Sequence, residues 1–324
     1  MCRLSNVTIA AIAFCVISGA TPTLRACINT NATNLKGETV TAEGGHHSYI
    51  EQLRSAQPVN RTWWAGAEME AAKKVAEDPT IENRVDHAAC LIYLGEYDRA
   101  IEMLNAVEEE APGNYMVATN LGTAHELKGD NEQALQWIEA GLERNPESHN
   151  GSEWIHAAIL RAKLRDADSN ESVLGISFGG DPEPVAPSTE SFATIGAGGL
   201  EELEYHIQTQ LHERLQFVTA PDPIVGELLF DMASAIALSE SLEESIPIYE
   251  MAAEYGYPNS ELLSARKKHL LGVIATNPQS GNRMGDVSVA AVGKILVVIG
   301  VVFLLALAAI VWGLYWLLNR RRQA

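Results

Sequence analysis

Nine histidines are the first residues in this 324-residue chain that could do chemistry, since imidazole is both a metal ligand and a proton carrier near neutral pH. His46 and His47 sit between glycines and polar residues and suit a solvated turn. His206 and His212 are six apart, which on a helix puts them on different faces. His149, Glu153 and His156 have i, i+4, i+7 spacing, but Asn150-Gly151-Ser152-Glu153 reads as a capping box that starts a helix after His149. That arrangement takes His149 off the shared face, and no metal is expected. HExxH, CxxC and GxSxG are all missing, and Gly179-Gly180 lacks the Lys-Ser/Thr of a phosphate loop. Glu108–Glu110 and Glu201, Glu202 and Glu204 suit a solvated helix end and an acidic first turn. The chain therefore reads as a non-enzyme with no cofactor.

Charge and hydropathy set the surroundings. Forty-two acidic against 23 basic residues give a formal charge of −19, which repels phosphate backbones and argues against nucleic acid as a partner. Residues 1–26 read as a signal peptide, with Arg3 before a short apolar core and cleavage open after Ala20 or Ala26. Cys27 and Cys90 then remain. Cys90, beside Ala88, Ala89 and Leu91, is expected to be a buried core thiol, with a disulfide to Cys27 as the alternative; Cys27 after Leu24-Arg25-Ala26 also loosely resembles a lipoprotein box.

Residues 295–318 hold 24 residues without a charge, about 36 Å as a helix, which is long enough to span a bilayer. Sixteen are Leu, Ile, Val or Phe, a very rough −5 to −9 kcal/mol of insertion free energy. Trp312, Tyr315 and Trp316 lie at the end where Arg320–Arg322 begin, so the tail 319–324 is expected in the cytoplasm and the rest outside. A bacterial inner membrane facing the periplasm is the expected location.

The elements that could carry a function repeat. Gly95 and Gly129, Ala100 and Ala134, and Pro112 and Pro146 are each 34 residues apart. The glycines mark a turn after a first helix, the alanines lie early in a second, and the prolines end each unit. In the second unit Ala118, Leu121, Gly122, His125, Ala134, Ile138 and Pro146 stand at matching places. Arg84, His87, Ala88, Leu91, Ala100, Leu104 and Pro112 do so in the first.

These residues and spacings resemble the tetratricopeptide repeat family. The resemblance implies an all-α fold, a solenoid of helical hairpins, to which the apolar segment adds one C-terminal transmembrane helix. It also implies protein binding on a groove lined by the first helices. The lining positions are Glu82, Val85, Ala89, Ile92 and Tyr93 in one unit and Met116, Thr119, Thr123, Glu126 and Leu127 in the next. The lysine and asparagine clamp of chaperone-binding members has no counterpart, because Val85, Ala89, Thr119 and Thr123 stand there. An apolar or basic segment of another protein is the expected partner. Arg84 and His87 depart from the family at two core positions.

Around the array, 27–62 is expected as a polar arm without regular structure, 63–165 as the array with an opening helix from Trp63 and a closing helix at 153–164. Residues 166–199 read as a Gly/Pro-rich loop or linker, inside which 173–178 suits a short extended piece. Helices return over 200–277. There Ala233, Ser245, Tyr249 and Pro258 suggest a degenerate third repeat, with Pro247 as a kink. Residues 278–294 form a tether. An enzyme site within 166–258, or a structural homo-oligomer, are the rival functions.

Overall fold

The computed structural model describes residues 28–44, 49–56, 58–165, 171–195 and 197–277. The expected signal peptide, Cys27, the tether and the apolar 295–318 segment lie outside them. No helix among the described residues is long and apolar enough to cross a membrane.

Two hairpins recur where the 34-residue spacing puts them. Helix α3 (Ile81–Leu94) pairs with α4 (Tyr97–Glu110), and α5 (Tyr115–Lys128) with α6 (Asn131–Arg144). Gly95 and Gly129 end the first helix of each pair in the left-handed region, at φ 81° and 96°. The N–H groups of Gly95 and Glu96 return to the carbonyls of Ile92 and Leu91, closing the helix end as glycine in this conformation allows. Helix α2 (Arg61–Glu77) packs in front of α3, and α7 (Glu153–Leu164) behind α6, so each helix meets the next in chain order.

Small residues set the closeness. A Cβ on Gly122 would lie 2.5 Å from Ile138 Cδ1 and 3.2 Å from the Ala134 carbonyl oxygen, so α5 and α6 touch nearly backbone to side chain. Gly122→Ala is expected to cost about 1–2 kcal/mol, overpacking outweighing the gain in helix propensity. A urea midpoint unchanged or raised would contradict it. His87 and Arg84, the two departures from the repeat pattern, are accommodated by carboxylates. Buried His87 meets Glu68 of α2 at 2.9 Å, and Arg84 meets Glu110 at 2.7 Å. Cys90 is a buried free thiol.

Three expectations need correction. Residues 28–44 and 49–55 are not irregular: β1 (Ile28–Thr33) and β2 (Thr39–Gly44) form an antiparallel hairpin, which adds two short strands beside the helical array. The Asn34 side chain accepts from the N–H groups of Lys36 and Glu38 to make the turn, and Gly37 supplies φ 75°. Buried Thr33 docks the hairpin by donating twice, at 2.8 Å, to Glu243. A short helix α1 (Tyr49–Ser55) follows and buries Leu53.

The Gly/Pro-rich stretch, second, is irregular but not a free linker. Val173, Leu174, Ile176 and Phe178 are buried in the larger of the hydrophobic cores, and a short helix α8 (Thr189–Ile195) follows them. Residues 173–178 form no strand.

Third, the capping box at Asn150–Glu153 does not form. Ser152 makes no side-chain bond to the helix and donates instead to the His149 carbonyl at 2.6 Å. His149 and Asn150 adopt left-handed φ of 48° and 59° in a 3-10 turn, Ser148–Gly151.

Helices α9 (Leu200–Arg214), α10 (Pro223–Ser239), α11 (Leu242–Glu254) and α12 (Ser260–Thr276) complete the chain. Helices α10 and α11 pack as a hairpin with Ala233, Ser245 and Tyr249 fully buried, and Pro247 lies inside α11. Helix α7 serves both halves. Ala157 and Leu160 pack with Ala134 and Ile138, while Ile155 and Ile159 join the core of α9–α12.

Candidate functional site

The inner side of the repeat array is not an open trough. Residues at the end of α9 lie across it, and between them and the repeats is a cavity of about 150 Å³. Ala89, Ile92 and Tyr93 line it from α3, and Thr119, Asn120, Thr123, Glu126 and Leu127 from α5. The opposite wall carries Gln210, Glu213, Arg214, Phe217 and Val218, and the third carries His149, Glu153 and His156.

Seven of the ten expected groove residues therefore meet in one place. The other three do not. Val85 is buried in the core of the repeats, while Glu82 and Met116 are exposed away from the cavity. Thr119 touches both the cavity and the helix interface. Its methyl lies 2.7 Å from where a Cβ on Gly141 would be, so its size is fixed by α6. Thr123 is free of that constraint.

Aromatic stacking closes one end. Tyr93 lies between Trp64, 3.7 Å away and nearly parallel, and Phe217 at 5.1 Å. A helix before the repeats and the turn that follows α9 thus clamp a groove residue.

The wall beneath is ionic. Glu126, nearly buried, accepts from Arg214 Nη1 at 2.8 Å and Nη2 at 3.2 Å, from Lys163 Nζ at 2.6 Å, and meets His156 Nε2 at 2.7 Å. His156 Nδ1 meets Glu153 at 3.1 Å, and His149 Nδ1 is bonded to the other oxygen of the same carboxylate. Burial would raise the Glu126 carboxyl, but the charges of Arg214 and His156, with their hydrogen bonds, hold it well below the usual range. Burial disfavours the His156 cation, yet Glu126 and Glu153 push it up to about 9. Burial likewise opposes ionisation of Glu153, and the bonds to His149 and His156 bring it down to about 2. The hydrogen bond to Glu153 raises His149, against its own burial.

The i, i+4, i+7 set does converge, as a chain of ion pairs. Among the described residues no group of His, Cys, Asp and Glu is placed to hold a metal. Sequence reasoning missed Arg214, Phe217 and Val218, because nothing local marks the end of α9 as facing a helix almost 90 residues earlier.

The turn that presents His149 is latched by a second histidine. Trp154 Nε1 donates to His206 Nδ1 at 3.1 Å, and the His206 ring also bonds the Asn150 backbone. Since Trp154 can only donate, His206 must be neutral there, with its proton on Nε2. Burial lowers its pKa from 6.5, outweighing Glu202, the Asn150 contact and Glu147. This contribution is present above the unfolded value and lost as pH falls through the lower folded one. Glutamine offers one acceptor and one donor without titrating, so His206→Gln is expected to lose less stability than the native chain between pH 7 and 5. Parallel declines in denaturant titrations would refute the latch.

Residues 91–163 match the family model described as tetratricopeptide repeat. Among solved structures, the chain is similar to a thermophilic TPR protein of Thermus thermophilus at 15% identity, over 69% of this chain and 99% of that one, with a TM-score of 0.32. A tetratricopeptide repeat protein from Parabacteroides merdae shows 12% identity, with 69% and 99% covered and a TM-score of 0.29. No curated protein matches.

Proposed function

From a tetratricopeptide-type array at residues 91–163, repeats that generally act as protein-interaction modules, we propose that this chain is an extracytoplasmic scaffold that holds part of a partner protein against the inner face of its repeats. Residues 295–318 tether it to a bacterial inner membrane, with the array in the periplasm. The observation that carries the reading is the meeting of seven groove residues around one cavity. Binding rather than catalysis suits that wall. The buried carboxylates Glu126 and Glu153 there are tied to Arg214, Lys163 and two histidines.

A photo-crosslinking residue at position 123 tests the reading, with position 132, exposed on α6, as the control. In native membranes a distinct protein is expected from 123 and not from 132. The same products from both positions, or none from either, would remove the groove as the binding surface. Anchoring is tested separately: a chain ending at 277 is expected in the soluble fraction and the full chain in membranes.

A further inference from the structure

We infer that the cavity between α3, α5 and the end of α9 seats one uncharged aromatic side chain with a polar edge, of the tyrosine or tryptophan type, supplied by the partner. The inference rests on the groove reading above and names what that groove selects.

Size comes first. An apolar cavity of about 150 Å³ accepts benzene, so this space fits one ring and not a run of residues. A long peptide could not continue along the repeats, because Phe217 stacks on Tyr93 and Arg214 is bonded to Glu126 across the same face. What enters is a side chain.

Charge comes second. In the wall the carboxylates Glu126 and Glu153 are already matched by Arg214, Lys163 and His156. At the mouth Glu213 and His149 carry opposite tendencies and interact with each other. An ammonium guest would give up its water and meet only carboxylates already engaged. A carboxylate guest would find one open buried donor, Arg214 Nε, which a neutral oxygen can meet without losing a charge's hydration.

Polarity decides between aromatic types. Ile92, Leu127, Phe217 and Val218 give the space apolar walls, but Asn120 and Thr123, one helical turn apart on α5, face it as well. His149 has Nδ1 engaged by Glu153, is 47% exposed, and so has Nε2 left for a guest. An aliphatic plug would strip water from these groups and return no hydrogen bond. A phenol or indole covers the apolar wall and still meets one of them. The left-handed pair His149-Asn150 is a conformation that non-glycine residues seldom adopt, and here it holds an imidazole at the cavity.

Saturation-transfer NMR on the full chain tests this, with p-cresol, indole, toluene, n-butylamine and acetate as probes. Saturable binding of p-cresol and indole is expected, about three- to tenfold tighter than toluene, as one hydrogen bond gives. Thr123→Trp on α5, and Ala89→Leu on α3, are expected to abolish it while helical circular dichroism is retained. Toluene binding as well as p-cresol, preference for butylamine or acetate, or signals that persist in both variants would overturn the inference. Crosslinking from position 123 without probe binding would leave the groove reading standing and sink this one. Probe binding without crosslinking would overturn the groove reading and, with it, the partner as the source of the ring.

Discussion

Replacing Glu126 by alanine is expected to destabilise the fold by about 3–5 kcal/mol, because it leaves three cations without their shared carboxylate. Arg214 and His156 are nearly buried, so water does not restore what is lost; Lys163 is more open and contributes less. The damage should be directional. Arg214 belongs to the far wall, so the end of α9 is expected to lift from the repeats, with faster amide exchange over 210–218 than over 81–94. Uniform exchange, or a loss under about 1 kcal/mol, would mean that the network only decorates an interface held by apolar contacts. The pH profile of the native chain carries the same signature. The share from Glu153 is full above about 4.5 and fades as pH falls toward 2, while that from His156 is full below about 6.5 and fades as pH rises through 9. A His156→Gln chain is expected to lose the alkaline decline selectively.

Arg266→Met is expected to be at least as severe, about 3–5 kcal/mol, although it removes a charge from the interior of the protein. Arg266 is fully buried in α12. It donates to the backbone carbonyls of Phe178, Gly179 and Asp181 at 2.9–3.1 Å and to Ser234 at 3.0 Å, with the Phe230 ring 4.9 Å from its guanidinium carbon. Among the described residues no carboxylate forms an ion pair with it, and burial pushes nearby Asp231 well above the usual range, Glu227 adding to the effect and Arg266 opposing it. Carbonyl dipoles and a ring face stabilise the cation instead. Methionine keeps the volume and abandons three carbonyls, so the irregular 173–181 segment should open and exchange its amides. A variant with protected amides there would show that apolar packing of Val173 and Phe178 holds the loop unaided.

The repeats were legible because their signals are local. A glycine that must take positive φ, an alanine where helices touch and a proline that stops a helix act within one unit, and their recurrence at 34 residues needs no distant information. The hairpin of β1 and β2 was not legible for the opposite reason. INTNAT and TVTAEG alternate among polar residues, and the partners that dock them, Glu243 and Asn277, lie more than 200 residues away. The buried part of the Gly/Pro-rich stretch was not legible for a similar reason, since Arg266, which meets its carbonyls, lies 85 to 88 residues later.

For the candidate site, the resemblance to the repeat family implied ten inward positions on α3 and α5, of which Ala89, Ile92, Tyr93, Thr119, Thr123, Glu126 and Leu127 line the cavity and Glu82, Val85 and Met116 do not. Helical periodicity fixes a side chain's direction on its own helix. Only the tertiary structure decided what lies opposite. Arg214 at the end of α9 and Phe217 in the turn after it lie far along the chain from the repeats, and they turn an inner surface into a cavity the size of one ring. Periodicity carries no information across that distance, because the contacts that fix the far wall are made between segments and not within them.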